Sequence, residues 1–273
     1  MKKNLSTIIL ILVFLTGLSL LLYPTVSDYW NSLHQSRAIA GYSDAVAKID
    51  SLDYEKIWKD AQDYNRKLLT KRNRYFLTDE EREEYNSILN VAGNGIIGYI
   101  EIPAIKSSLA IYHGIEESIL QIAVGHIEGT SLPVGGEGTH SVISAHRGLP
   151  SAKLFTDLDQ LIEGDIFMIQ VLKQTLTYEV DQILIVEPHE IEALAIEEDK
   201  DYFTLVTCTP YGINTHRLLV RGHRVENIDS DYSSRIVSEA LQIDRLLVAV
   251  ALAVPILILL SIWVIIYSRR RRG

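Results

Sequence analysis

The 273-residue chain has a single cysteine, Cys208. An internal disulfide is therefore excluded, and the fold must rest on a packed core. Roughly 220 residues between the chain's two apolar ends are enough to build such a core without covalent staples. Metal-ligand patterning is also missing: the eight histidines include no pair at zinc spacing, and one thiol does not make a thiolate site. Positive charge is scarce, with 26 lysines and arginines against 35 acidic residues and a formal net charge of −9. Nucleic acid binding, which relies on basic patches, is excluded as a function class. There is no internal repeat and no low-complexity segment outside the apolar ends.

What is present begins with those ends. Leu5–Tyr23 and Leu246–Tyr267 carry no charge. At about 1.5 Å per helical residue each is long enough for a hydrocarbon core of about 30 Å. Pro255 does not veto the second span, since transmembrane helices tolerate proline. A cleaved signal peptide competes for the first, because Lys2 and Lys3 precede it. The run exceeds a usual signal core, however, and Pro24–Trp30 offers no small-x-small cleavage site. We read residues 1–24 as an uncleaved membrane anchor. Lys2, Lys3 and Arg269–Arg272 flank the two spans, so the positive-inside rule puts both termini in the cytoplasm and residues 25–245 on the extracellular face. Setting those six basic residues aside leaves −15 for the region between.

The outer region divides by pattern. Residues 28–69 are helical in spacing, with Ile57, Ala61, Tyr64 and Leu68 on one apolar face. Thr78-x-x-Glu81 is a capping box opening a second helix that runs to about Leu89, and Gly93-Asn94-Gly95 ends the pattern. Residues 25–94 are thus a helical N-terminal region. From 95 to 227 come short β-branched and aromatic runs: Ile96–Ile105, Ser108–His113, His140–Ala145, Ile166–Leu172, Thr175–Val186, Tyr202–Thr209 and Arg217–Val225. These predict a mainly β domain, a barrel or sandwich, with one short helix at Ser151–Leu161. Residues 228–245 read as a linker, 246–267 as a transmembrane helix and 268–273 as a basic tail.

Cys208 closes the apolar strand Thr204–Thr209. Pro210–Asn214 is a turn by composition, and Arg217–Arg224 is the returning strand. Pairing across that turn brings Cys208 and Arg217 together. A lone thiol is either an inert core residue or a nucleophile, and the former is the commoner case. A thiolate nucleophile needs a proton donor for its leaving group, usually histidine. His146 ends a strand and opens the loop Arg147-Gly148-Leu149-Pro150, a position that favours chemistry. His140 and His216 are its competitors. Arg217 stays protonated and can serve an oxyanion, or it can simply form a surface ion pair.

The segment TLVTCTPYGINTHRLLVRGHR (204–224) resembles the active-site signature of the sortases, and its continuation after Cys208 is similar to class C, the pilin-polymerising group. The resemblance extends to YPTVSDYWN (23–31), GYIEIPAI (98–105), YHG (112–114) and VGHIEGTSLPVGGEGTHSVISAHRGLPSAKLFTDL (124–158). A second span after the catalytic domain also resembles class C. It implies a sortase-like closed β-barrel with N-terminal helices and two flanking transmembrane helices. It further implies Cys208 as nucleophile, His146 as general acid/base and Arg217 as the oxyanion- and substrate-stabilising residue. The implied partners are pilin proteins bearing LPXTG-like sorting signals and the membrane, with no metal or organic cofactor.

One family feature is missing. Class C sortases usually carry a lid with an Asp-Pro-aromatic motif, and this chain has no Asp-Pro pair. The corresponding stretch is Lys71–Leu77, where Tyr75 or Phe76 are the candidates to cover Cys208 and Asp79 the candidate to reach Arg217. The alternative is that these residues anchor an ordinary loop, and we expect a lidless or weakly lidded enzyme. Two other functions compete: a sortase that anchors proteins to the cell wall through a peptidoglycan amine, and a non-enzymatic tethered receptor with an inert Cys208.

Overall fold

The computed structural model describes residues 2–227 of the chain. The second apolar run and basic tail lie outside the described residues. The chain separates into two units at Val26/Ser27. The first helix, α1 (Lys2–Ala47), begins in one and continues into the other. Its N-terminal stretch is long and apolar enough to cross a membrane by length and composition, and the side chains of Leu10, Val13 and Leu20 are exposed.

The sequence pattern gives one continuous helix over 28–69, whereas the structure breaks it. α1 ends at Ala47, and α2 (Ser51–Thr70) starts anew because Asp50 accepts a hydrogen bond from the Asp53 N–H as an N-cap. α3 (Asp79–Ser87) has the expected capping box from Thr78 and Glu81. It stops two residues earlier than the spacing suggests, and Leu89 turns to φ +63°.

The remaining chain forms a closed barrel of eight strands: β1 (Ile96–Ile102), β2 (Ser107–His113), β3 (Val124–His126), β4 (Thr139–Ser144), β5 (Ile166–Val171), β6 (Gln174–Val186), β7 (Asp201–Thr209) and β8 (His216–Val225). Around the barrel they run β1-β2-β3-β4-β7-β8-β6-β5. The β2–β3 and β4–β7 ladders are parallel and the others antiparallel. One short helix, α4 (Glu117–Leu120), makes the crossover between β2 and β3. Ser151–Leu161 is not the helix expected: it is a series of turns with a single 3₁₀ turn at Leu158–Gln160. Leu154, at φ +40°, interrupts any helical run there.

Inward side chains of alternate strand residues build the core, with Ile97, Ile100, Ile111, Phe167, Tyr178 and Phe203 almost fully buried. Three buried polar side chains fasten the helices to it. Tyr42 of α1 donates to the Ile97 carbonyl at 3.0 Å and accepts from the Leu172 N–H at 2.8 Å. Asn65 of α2 donates to the Leu132 carbonyl at 3.0 Å and accepts from its N–H at 2.7 Å. The Tyr85 hydroxyl of α3 meets His126 Nδ1 at 2.9 Å and accepts from the Gly114 N–H at 3.0 Å. A buried polar group is tolerable only when so satisfied.

Candidate active site

The barrel register pairs Cys208 with Arg217, and His146 follows the end of β4, the strand on the other side of β7. Cys208 and Arg217 are direct Cα partners in the antiparallel β7–β8 ladder, a separation of about 4.5–5.5 Å. The turn between them closes with the Ile213 and Asn214 N–H groups on the Pro210 carbonyl, at 3.1 and 3.0 Å. Gly212 and Asn214 take positive φ, as the turn chemistry requires. On the other flank, β4 runs parallel to β7 with Ser144 opposite Val206. The Ala145 N–H continues that ladder onto the Val206 carbonyl at 3.2 Å, and Thr207 Oγ1 donates to the Ala145 carbonyl at 2.8 Å. The next residue along is His146, two positions past the end of β4 on the strand line that flanks β7.

Cys208 is a half-buried free thiol. His146 Nε2 is closed off from solvent without a hydrogen-bond partner, and the Glu117 carboxylate lies 3.6 Å from it. Arg217 donates to the Asn214 and His216 carbonyls at 3.3 and 3.1 Å. It makes no ion pair among the described residues, so the bland reading of a surface ion pair is not what the geometry shows.

The competing histidines have partners of their own. Both ring nitrogens of His140 are engaged, with Ala195 O at 2.8 Å and Thr204 Oγ1 at 2.7 Å. Burial pushes its pKa down to about 4. His216 sits opposite Thr209, one position beyond the Cys208–Arg217 pair, with its ring against the Thr215 hydroxyl.

Residues that the sequence pattern did not single out complete the surroundings. Arg147 ties the loop after β4 to the β7–β8 turn: it donates to Thr209 Oγ1 at 3.4 Å, pairs with Asp159 and lies 5.9 Å from the Tyr211 ring centroid. Gly148, at φ +77°, lies under that same ring, and a Cβ there would come within 2.8 Å of Tyr211 Cε2. Val142, Leu194, Val206 and Leu219 form an apolar cluster separate from the main core, edged by Ile127, Leu184, Val186 and Ala193. Val206 and Leu219 are each two residues from Cys208 and Arg217, so the cluster continues the face that carries them. Strand alternation was the signal available for it. Glu117 had none, since it arrives from the β2–β3 crossover. Among the described residues, no group of three or more His, Cys, Asp or Glu is placed to hold a metal.

The lid candidates differ in exposure and in partners. Phe76 is 81% exposed. The Asp79 side chain is 99% exposed and lies 3.9 Å from Arg82 in the first turn of α3, and it forms no ion pair with Arg217 among the described residues. Tyr75 is half-buried, its hydroxyl bound by Arg74 at 2.9 Å. Arg74 also donates to the Leu194 carbonyl at 2.7 Å. The backbone of Arg74 and Tyr75 presses on Gly129 (φ +81°), where a Cβ would come 2.3 Å from the Arg74 carbonyl oxygen. The segment is thus a strap across Gly129 and Leu194.

Comparison with known proteins agrees with this layout. The sortase domain family matches residues 100–225. The crystal structure of sortase C1 from Streptococcus agalactiae is 52% identical, with 70% of this chain and all of that chain aligned at a TM-score of 0.68. Streptococcus pneumoniae sortase C is 46% identical over 70% of this chain and 97% of that chain, at a TM-score of 0.62. Sortase A of Streptococcus agalactiae is 29% identical over 117 residues, 42% of this chain; the matched stretch spans about half, 47%, of that relative. A closed barrel with a half-buried thiol at one end suits a cysteine-dependent acyl transferase. The chain belongs to the sortase family of cysteine transpeptidases, on the class C side of it.

Proposed function

We propose that the chain joins pilin subunits through isopeptide bonds at the outer face of a Gram-positive cell membrane. The observation that carries this reading is the Cys208–Arg217 pairing, with His146 in the segment that leaves the end of the flanking strand β4. In the first half-reaction Cys208 Sγ, as thiolate, attacks the Thr–Gly carbonyl carbon of an LPXTG-like sorting signal. Arg217 donates to the oxyanion, and His146 gives a proton to the departing glycine nitrogen as the C–N bond breaks. The apolar cluster around Val206 and Leu219 would seat the leucine and proline of the signal. In the second half a lysine amine of the next pilin attacks the thioester carbonyl. The new C–N bond forms, the C–S bond breaks, and His146 takes the amine proton and returns it to the thiol. Exclusion of water from the site favours aminolysis over hydrolysis.

Support for a pilin substrate comes from the Streptococcus pneumoniae relative, whose structure is described in terms of pilin substrate specificity. In this reading residues 1–24 anchor the enzyme, 25–94 are its helical region, with Lys71–Leu77 as its strap, 95–227 are the catalytic barrel, 228–245 are a linker, and 246–267 form a second span. Both termini face the cytoplasm. Co-expression with candidate pilins in a strain without sortases tests the function. High-mass ladders that vanish with Cys208→Ala are the expected result; monomeric attachment to the wall alone would instead assign a wall-anchoring sortase.

A further inference from the structure

Between Ser27 and Gln35, α1 aims four polar side chains at the two loops that flank His146. Residues 27, 31 and 35 follow i, i+4, i+8 spacing, with 28 beside them, so they share one helix face. Ser27 Oγ donates to the Ser151 carbonyl at 3.1 Å, and the Asp28 carboxylate accepts from the Lys153 N–H at 2.6 Å. That turn is tied back to the histidine, since the Phe155 N–H donates to the His146 carbonyl at 3.2 Å. On the other side, Asn31 Nδ2 donates to the Ile122 carbonyl at 3.3 Å. Buried Gln35 donates to the same carbonyl and accepts from the Ala110 N–H at 2.9 Å, on the stretch of β2 that β3 does not reach. Ile122 follows α4, which carries Glu117 3.6 Å from His146 Nε2.

We infer that this face of α1 is a positioning clamp for His146. Asp28 and Ser27 hold the loop that continues its backbone, and Asn31 and Gln35 hold the turn that carries its carboxylate neighbour. The need for a clamp follows from the local structure. His146 lies past the end of β4, its Nε2 has no hydrogen bond to orient it, and a reacting group must be held to about 0.5 Å. No catalytic contact is assigned to the α1 residues; they act through the loops. The inference rests on His146 being the acid/base residue of the proposed reaction.

The test compares Asp28→Ala, Asp28→Asn and Asn31→Ala in the full chain, using a sorting-signal peptide and an amine acceptor. Asp28→Ala should lower kcat about tenfold with KM within twofold, and should move the ring resonance of His146 in an NMR spectrum of histidine-labelled protein. Asp28→Asn keeps an acceptor oxygen and should restore both. Asn31→Ala, which acts on the other loop, should reproduce the kcat loss. An unchanged kcat and an unmoved His146 resonance in both alanine variants would overturn the clamp, as would equal impairment of Asp28→Asn and Asp28→Ala. His146→Ala separates the two levels. If it retains turnover, the reading of the site and the clamp fall together; if it is inactive while Asp28→Ala is normal, the clamp alone falls.

Discussion

Cys208 and Arg217 face each other across the β7–β8 ladder, one position before its last pair, Thr209 and His216, from which the strands diverge into the turn. A thiol and a guanidinium so placed share one backbone frame, and a one-residue slip would turn one of them into the barrel. Among the described residues the guanidinium donates only to carbonyls of its own turn and neighbour, which leaves donors for a substrate oxygen. Arg217→Lys keeps the charge and loses the planar fork. The acylation rate should fall by about 10²–10³, comparable to removing an oxyanion donor. Stopped-flow or quenched-flow acylation measures it, and near-normal turnover would remove the oxyanion role.

Gly148 is required by both its backbone and its neighbour. A side chain would be strained at φ +77° and would strike the Tyr211 ring. Gly148→Val should destabilise the protein by about 1–3 kcal/mol and lower turnover by displacing the His146–Arg147 loop. Thermal denaturation read alongside kcat checks this; an unaltered pair of values would show that the loop and turn are not coupled.

A buried imidazole pair links the helices to the barrel and should set the acid limit of stability. His113 and His126 are register partners on β2 and β3, both packed against Tyr85. Burial pushes their pKa values down to about 4 and about 3, from 6.5. Both folded values lie below the unfolded one, so the unfolded chain binds protons first on acidification. The stability they contribute is fully present above about pH 6.5 and drains as pH falls towards 4 for His113 and towards 3 for His126. Neither ring nitrogen of His113 makes a well-formed hydrogen bond among the described residues. His113→Phe should therefore be neutral or mildly stabilising at pH 7 and should flatten the loss of stability between pH 6.5 and 4 in denaturant titrations. A profile as steep as that of the parent chain would contradict the assignment.

The strap over residues 71–77 should act through Arg74 rather than through Phe76 or Asp79. Arg74 holds the Leu194 carbonyl, and Leu194 packs on Val142 and Val206 beside the thiol. Arg74→Ala should speed labelling of Cys208 by a thiol reagent several-fold. Phe76→Ala and Asp79→Ala, at exposed side chains, should leave the rate within about twofold. The reverse ranking would restore an aromatic-and-acid lid of the kind the family resemblance suggested.

The parts that were legible in the sequence are those where one local signal decides the structure. An apolar run, a Pro-Tyr-Gly-Ile-Asn turn and a second apolar run make β7 and β8, and with them the Cys208–Arg217 pair. Thr78 and Glu81 announce α3 in the same way. β3 was missed because Val124-Gly125-His126 is too short for a period and is a strand only through its neighbours. The helix expected at Ser151–Leu161 does not form because tertiary contacts intervene: Ser151 and Lys153 are held by α1, and Leu154 turns to positive φ. The break after Ala47 was missed; Asp50, which caps α2, is the local residue that marks it. Glu117 and the α1 clamp are tertiary relationships between distant segments and leave no local pattern. The second apolar run lies outside the described residues, so its reading still rests on composition.

The central claim is that Cys208 carries the acyl group between two peptides. Intact-mass measurement of the full chain, mixed with an LPXTG-type peptide and then with a lysine-bearing pilin peptide, tests it most directly. The account predicts a mass increase equal to the peptide up to its threonine acyl group, mapped to Cys208 and absent in Cys208→Ala. That increase should disappear on adding the lysine peptide, with an isopeptide-linked product formed in its place. An adduct that persists in Cys208→Ala, or no adduct on the parent chain under turnover conditions, would contradict it.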